Sequence, residues 1–508
     1  MAERLPRPAD SLATDPSHKR PPPHDDHFET TLPKRQAAHY TYDRMVTQDS
    51  SRAHFGDQYL HHEYHAPVYH LSDSTYYAGA QRQTPRTQLE DTLESLKFKQ
   101  MDDHYLTLKS AYANTCQWLF ERSEYMDWLD PSKRSANNGV LWIKGKPGAG
   151  KSTLVKCAVQ YTQGHSEAAT VIFFFFHARG SALERSTEGM YRSLLTQLVG
   201  KITRLQGVLG RQGQREKWAV ELLRSLFCEA IMALGTDPSI CYIDALDECD
   251  NDEVKDMIET FEELTELAAA RGIEFRVCFS SRHYPHITMK TYQEMKLEDQ
   301  KGHEDDIAVF VQSKLKVPLA KQSKSHIVMQ IRLRASGIFL WVVLVIKLLN
   351  TDGDNGHVHK LKARLKQIPV DVNRLFEEII HRGTEEDTYL VPTLQWIMFA
   401  RRPLSCAELY HAIIRAPFAG AVDAEEDFRH EVTPEMMENF LTSSTKGLAE
   451  LTKGRQPTTQ FIHESVRDYL RNTGFKAIAS DLCNDLNGAS HHYLEQCCMH
   501  YVSEKALQ

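Results

Sequence analysis

The run GKPGAGKST, from Gly145 to Thr153, constrains this chain more than any other feature. It satisfies the spacing GxxxxGK[ST] with Gly145, Gly150, Lys151 and Ser152; the apolar run VLWI precedes it and a helical period follows. Glycines at these positions let the backbone turn so that successive amides point inward, and the helix that follows adds its partial positive charge. In that arrangement Gly145, Pro147, Gly148, Ala149, Gly150 and Thr153 form a cradle for phosphates. Lys151 reaches the outer phosphates, and the Ser152 hydroxyl takes one coordination position on magnesium.

A phosphate cradle needs a metal-ordering carboxylate at the end of a neighbouring strand, and SICYIDALDECD supplies it. Asp244 ends the apolar run Ile240–Ile243, where it can hold magnesium through water. Asp247 and Glu248 follow within about one turn, where a carboxylate can orient or deprotonate an attacking water. The spacing does not separate these two, and acids there also suit the start of a helix. A further apolar run, FRVCFSSR, ends in Arg282, which is placed to contact a terminal phosphate or to form a surface salt bridge.

Short apolar runs at Val140–Ile143, Val171–Phe176, Ile240–Ile243, Arg276–Phe279 and, more weakly, Met295–Leu297 alternate with helical periods. Those periods are carried by Leu154, Val155, Ala158 and Val159, by Met190, Leu194, Leu195 and Leu198, and by Val254, Met257, Ile258, Phe261 and Leu264. Gly164, Gly200 and Gly272 are expected to stop those helices. Buried parallel strands between helices predict an α/β fold: a P-loop NTPase sheet flanked by helices over residues 139–300. Ahead of it, residues 1–90 read as a disordered arm, with Pro21-Pro22-Pro23, the histidine-rich run His61 to His70 and no sustained apolar period. Residues 91–138 read as a helical lead-in, with Leu108, Tyr112, Cys116 and Leu119 at helical spacing. Helical periods dominate afterwards, and LAELTK between Gly447 and Gly454 reads as one arm of a small β-wing.

The 68 acidic against 60 basic residues leave a net charge of -8, which gives no general attraction to nucleic acid or acidic membranes. The cysteines form no CxxC pair and mostly sit in apolar runs, as buried free thiols do. The longest apolar stretch, Gly337 to Leu349, is shorter than the ~20 residues of a membrane span. A cytoplasmic location is expected.

These motifs resemble the NACHT branch of the STAND family of regulatory P-loop ATPases, in the filamentous-fungal form with a nephrocystin-like N-terminal domain. The resemblance runs from about residue 92 to 472. It takes in Thr115-Cys116-Gln117-Trp118-Leu119, LWIKGKPGAGKST, the FFFF run followed by Ala178-Arg179-Gly180, ERSTEGMYRSLLTQL, YIDALDEC and SSRHYPHI. It continues through ASGIFLWVVLVIKLL, RRPLSCAEL and FIHESVRDYL. His104 departs from it, standing where relatives tend to carry arginine.

The resemblance implies a helical subdomain over 301–372, a winged-helix domain over 373–475 and a helical C-terminal segment over 476–508. It implies ATP or ADP with magnesium as ligands, in keeping with the absence of an NKxD guanine-reading motif. It places Arg282 at a sensor-arginine position and His463 at a winged-helix histidine that contacts the β-phosphate of ADP in the closed form; Trp341 resembles a position near the nucleotide, or packs in the core. The implied function is a slow ATPase acting as a signalling switch in non-self recognition or incompatibility, closed with ADP, open and self-associating with ATP. Protein partners would supply sensing and output. A nucleotide-binding scaffold that hardly hydrolyses, or a conventional catalytic P-loop enzyme, are the alternatives.

Overall fold

The computed structural model describes residues 88–506 apart from 167–168, 211–216, 285–288, 383–387, 417–431, 453–456, 480–481 and 483–484. The arm expected over 1–90, its histidine run, Gly454 and Cys483 lie essentially outside the described residues.

Five parallel strands form the central sheet: β1 (Val140–Lys144), β2 (Thr170–Phe175), β3 (Ser239–Asp244), β4 (Phe275–Ser281) and β5 (Gln293–Lys296), in the order β2-β3-β4-β1-β5. Their apolar runs are continuous because both faces are covered, and the two-residue repeat of the strand sends alternate side chains to opposite layers. On one face Trp142, Phe174, Ile243, Val277 and Phe279 share a core with Met190, Leu194, Phe227, Met257, Ile258 and Phe261. On the other, Leu141, Ile143, Tyr242 and Cys278 pack with Leu154, Val155, Ala158 and Val159.

The helices that supply these layers follow the chain. A first helix α1 (Gln88–Leu96) and a second, α2 (Ser123–Leu129), precede the sheet; α3 (Lys151–His165), α4 (Thr187–Lys201), α5 (Val220–Met232) and α6 (Asn251–Ala270) lie between its strands. Only Gly272 is the helix stop expected of it, at φ +70° just past α6. Gly164 and Gly200 lie inside the last turns of α3 and α4 instead. Among the described residues neither has the positive φ that would make glycine a terminator.

The lead-in differs from the helix its apolar spacing predicts. Between Leu108 and Cys116 the chain is not helical, and Ala113 and Cys116 take left-handed φ of 47° and 70°. Tertiary bonds hold it there. The Cys116 amide and the Trp118 indole both donate to Asp306 Oδ2 at 2.8 Å, 190 and 188 residues away in sequence. Three cations of the core clamp carbonyls at the ends of the lead-in elements: Arg192 on Leu96, Lys156 on Tyr105 and Leu108, and Arg276 on Trp128 and Leu129. Each satisfies carbonyls that have no partner within their own short helix.

Beyond the sheet, α7 (Lys301–Lys314), α8 (Lys321–Ala335), α9 (Phe339–Asp354), α10 (Leu361–Gln367), α11 (Val372–His381) and α12 (Leu390–Phe399) follow. They pack around one apolar core that also takes in Phe461, Val466, Tyr469 and Phe475. Trp341 is wholly buried in it and donates to Pro369 O at 2.7 Å, so it is a core residue. Helices α13 (Cys406–Ile414) and α14 (Pro434–Ser444) lead to an antiparallel pair, β6 (Ala449–Leu451) and β7 (Thr459–Phe461). This ribbon contains the arm read from LAELTK. A short helix α15 (Glu464–Tyr469) and a long α16 (Leu486–Ala506) complete the described chain. No helix among the described residues is long and apolar enough to cross a membrane. Of the nine described cysteines, all free, six are buried, as expected of structural thiols.

Because Asp306 is buried and accepts from both the Cys116 amide and the Trp118 indole, Asp306→Ala is expected to cost about 2–3 kcal/mol. Asp306→Asn, which keeps an acceptor, should cost less. Urea midpoints for the two variants check this.

Candidate nucleotide site

The loop between β1 and α3 turns at Gly148 and Gly150, whose φ values of 73° and 102° exclude most side chains. Gly148 is doubly required: a Cβ there would lie 2.7 Å from Leu340 Cβ, and its carbonyl accepts the Leu340 amide at 2.9 Å. Gly145 and Ala149 are buried in the cradle, Pro147 stands exposed at its apex, and Thr153 lies in the first turn of α3. That helix starts at Gly150 with no side chain capping its amides, whereas α4 is capped by Ser186. An uncapped N-terminus behind a glycine loop leaves donors directed at whatever anion enters. Lys151 Nζ folds over the loop, donating to Gly145 O at 2.9 Å and Lys146 O at 3.2 Å. Burial lowers its pKa, against the pull of Asp247 and Asp244.

Asp244 is not on the strand beside β1; β4 lies between β1 and β3. The register makes this work. Lys144 pairs with Ser281 and Ile243 with Phe279, so the three strands end at one level. From β4 the Ser280 hydroxyl donates to Asp244 Oδ1 and accepts the Ala245 amide at 3.1 Å. Asp244 is fully buried, and burial raises its pKa to about 6, against hydrogen bonding from Ser152 and Ser280 and the charge of Lys151. Its Oδ2 is buried without a hydrogen-bond partner.

That orphaned oxygen, beside Ser152 and within the field of Lys151, tests whether magnesium fits. A hydrated divalent ion would satisfy it. Among the described residues no three His, Cys, Asp or Glu side chains are grouped to hold a metal. The ion would therefore share water and phosphate oxygens with Ser152 and Asp244, as magnesium does. The donor set fits.

Asp247 and Glu248, which spacing could not tell apart, have different surroundings. Asp247 is committed to Arg282: it accepts the backbone amide at 2.8 Å and pairs with Nε at 2.8 Å. Glu248 accepts only the Ala178 amide at 2.8 Å, and burial raises its pKa to about 7, with Asp247 adding to the rise. Of the two, Glu248 has the properties of a group that takes and returns a proton near neutrality.

Arg282 follows β4 directly. Burial would lower its pKa, but Asp247 and Asp468 hold it above its ordinary value. His463 caps α15, its Nδ1 accepting the Ser465 amide at 3.0 Å, which puts the ring proton of the neutral form on Nε2. Burial and the charges of Arg179, Arg282 and Lys151 lower its pKa to about 3. The sequence-predicted residues thus converge on one mouth at the carboxyl ends of β1, β3 and β4.

Several contributors escape sequence reasoning. Arg179, after β2, donates to Phe461 O at 2.6 Å and pairs with Glu464 at 3.4 Å. Asp468 pairs with Arg282 at 3.1 Å. Ser280 and Leu340 complete the set; all four residues lie in runs that carry the resemblance, but spacing gave none of them a role. His104 stacks on His177 with ring centroids 4.1 Å apart, joining the lead-in to the loop that carries Arg179.

Residues 114–282 match the family model described as Nephrocystin 3, N-terminal. That stretch, which holds the phosphate loop, Asp244 and Arg282, is similar to the N-terminal region of nephrocystin 3. The chain is 25% identical over 393 residues to the vegetative incompatibility protein HET-E-1 of Podospora anserina, a match covering 72% of this chain. The chain spans only about a quarter (26%) of that relative's length. Among solved structures it is similar to the STAND protein with a tetratricopeptide repeat sensor PH0952 from Pyrococcus horikoshii, at 14% identity and a TM-score of 0.40, covering 77% of this chain and 48% of that one. It is also similar to Cdc6p from Pyrobaculum aerophilum, at 13% identity and a TM-score of 0.34, covering 75% of this chain and 99% of that one.

The raised pKa of Glu248 has a stability consequence. Between its ordinary 4.5 and about 7, the folded chain keeps a proton that the unfolded chain sheds, so stability falls as pH rises through that window. In nucleotide-free protein, Glu248→Gln is expected to stabilise by about 1–3 kcal/mol at pH 8, with the gain vanishing near pH 4.5. Urea titrations at the two pH values check it.

Proposed function

We propose that this chain is a STAND-type switch that binds an adenine nucleotide with magnesium at the site between Gly145 and Asp244. It would be closed with ADP and open with ATP. The observation that carries the reading is the meeting of Ser152, Lys151 and a buried, half-unsatisfied Asp244 at one strand edge, with Arg282 alongside. The loop amides and Lys151 bind the phosphates; Ser152 and Asp244 hold the metal, which when bound offsets phosphate charge. Glu248, with its pKa near neutrality, orients and deprotonates an attacking water. Asp247 positions Arg282 rather than acting as the base.

His463 makes the switch. Its Nε2–H is the donor that meets the β-phosphate of ADP while Nδ1 caps α15, so nucleotide and helix share one ring. Moving an equilibrium from 1:99 to 99:1 takes about 5.5 kcal/mol of differential binding, and one hydrogen bond to a charged group contributes about 1.5–3 kcal/mol. Arg179 on the Phe461 carbonyl and Arg282 on Asp468 add to the closure.

The residues from 373 to 475, with β6 and β7 as the wing, serve as the winged-helix part, and residues 301–372 as the helical subdomain. The similarity to an incompatibility protein supports a role in non-self recognition signalling in the cytoplasm, through self-association in the ATP state and protein partners for sensing and output. Slow hydrolysis would reset it.

Calorimetric titration of the purified chain with ADP and with a non-hydrolysable ATP analogue, each with and without magnesium, tests the reading. Binding strengthened by magnesium is expected, and Lys151→Ala should weaken it at least tenfold. Glu248→Gln should retain binding and lose most turnover. An absence of heat with both nucleotides sinks the proposal.

A further inference from the structure

Arg282 is shared between two carboxylates of different standing. Asp247 takes its backbone amide and Nε, both at 2.8 Å, and is itself only 7% exposed in its side chain. That pair fixes one edge of the guanidinium. The other edge, at Nη1, is given to Asp468 Oδ2 at 3.1 Å, and Asp468 is 49% exposed. A half-exposed ion pair is screened by water and weak, whereas arginine binds phosphate oxygens strongly and in forked geometry. Asp247 therefore aims the arginine, and Asp468 occupies the face that remains.

Asp468 lies on α15, the helix capped by His463, two residues before a π-helical turn at Leu470–Gly474. Single π turns inside helices recur at functional sites. A carboxylate on this element is thus tied to Arg282, which directly follows β4.

We infer that Asp468 is an internal competitor for Arg282 against the outer phosphate of a nucleoside triphosphate. It thereby sets the chain's preference between di- and triphosphate. The inference rests on the reading of Arg282 as phosphate-facing. A diphosphate leaves the Arg282–Asp468 pair in place; a triphosphate must displace Asp468 to reach the guanidinium, and doing so frees α15. The weakness of the pair is what makes it displaceable.

The test is titration of the full chain with ADP and with a non-hydrolysable ATP analogue, both with magnesium, for wild type, Asp468→Asn and Asp468→Glu. Asp468 is half exposed and asparagine is nearly isosteric, so folding is not at stake. Asp468→Asn is expected to bind the triphosphate analogue about fivefold more tightly, equivalent to about 1 kcal/mol, while ADP, whose closed state the pair supports, binds no more tightly than to wild type. Asp468→Glu, which keeps the charge, should hold the wild-type ratio. If Asp468→Asn alters both affinities by the same factor, or neither, the inference is overturned while nucleotide binding stands. If the wild type binds neither nucleotide, the phosphate reading falls, and the inference with it.

Discussion

A carboxylate kept wholly out of water with one oxygen unpartnered is costly, and the site is organised around that cost at Asp244. Ser280 satisfies the other oxygen from the intervening strand, and Lys151 supplies a positive charge from the start of α3. What remains is a position that a hydrated cation would stabilise. The strand order matters here: with β4 between β1 and β3, the same strand that spaces the cradle from the carboxylate also carries Ser280, Ser281 and Arg282 to the edge. One strand end therefore carries both Ser280, the partner of Asp244, and Arg282.

From this edge two arginines reach the segment between Phe461 and Asp468, by different kinds of bond. Arg179 holds a main-chain carbonyl and Arg282 a half-exposed side-chain carboxylate, and on the proposed reading only the second would yield to another anion. The cradle also touches the helical core directly, through the Leu340 amide on Gly148 O. The apolar core that includes Leu340 runs on to Phe461, Val466 and Tyr469. Polar contacts at the mouth and a continuous core behind it thus join the same two parts of the chain.

The α/β core was legible because buried parallel strands leave continuous apolar runs and the phosphate loop has a fixed spacing. All five strands lie where those runs stand, within a residue or two at their ends. The stretch from Leu108 to Cys116 was misread as helical because its apolar spacing reflects burial of Leu108, Cys116 and Leu119 in one core, while Asp306, far along the chain, fixes the backbone at Cys116. Spacing carries no trace of such a partner. Asp247 and Glu248 were inseparable by position and separated by neighbours: one meets a guanidinium, the other a single backbone amide. Asp468 was invisible for the same reason, being an ordinary surface acid until β4 is placed opposite it.

His463 joins these threads through its tautomer. Its Nδ1 is engaged at the start of α15, so the ring can offer a proton only from Nε2, and burial together with the surrounding cations keeps it neutral. On the proposed reading, a rotation that withdraws Nε2 from phosphate also withdraws Nδ1 from the Ser465 amide, and a lost N-cap costs a helix about 1 kcal/mol. On so short a helix as Glu464–Tyr469 that is a large share of its local stability. The nucleotide would then act on α15 from both ends, through the cap at His463 and through the carboxylate at Asp468, and neither contact has to be strong for their combination to be felt.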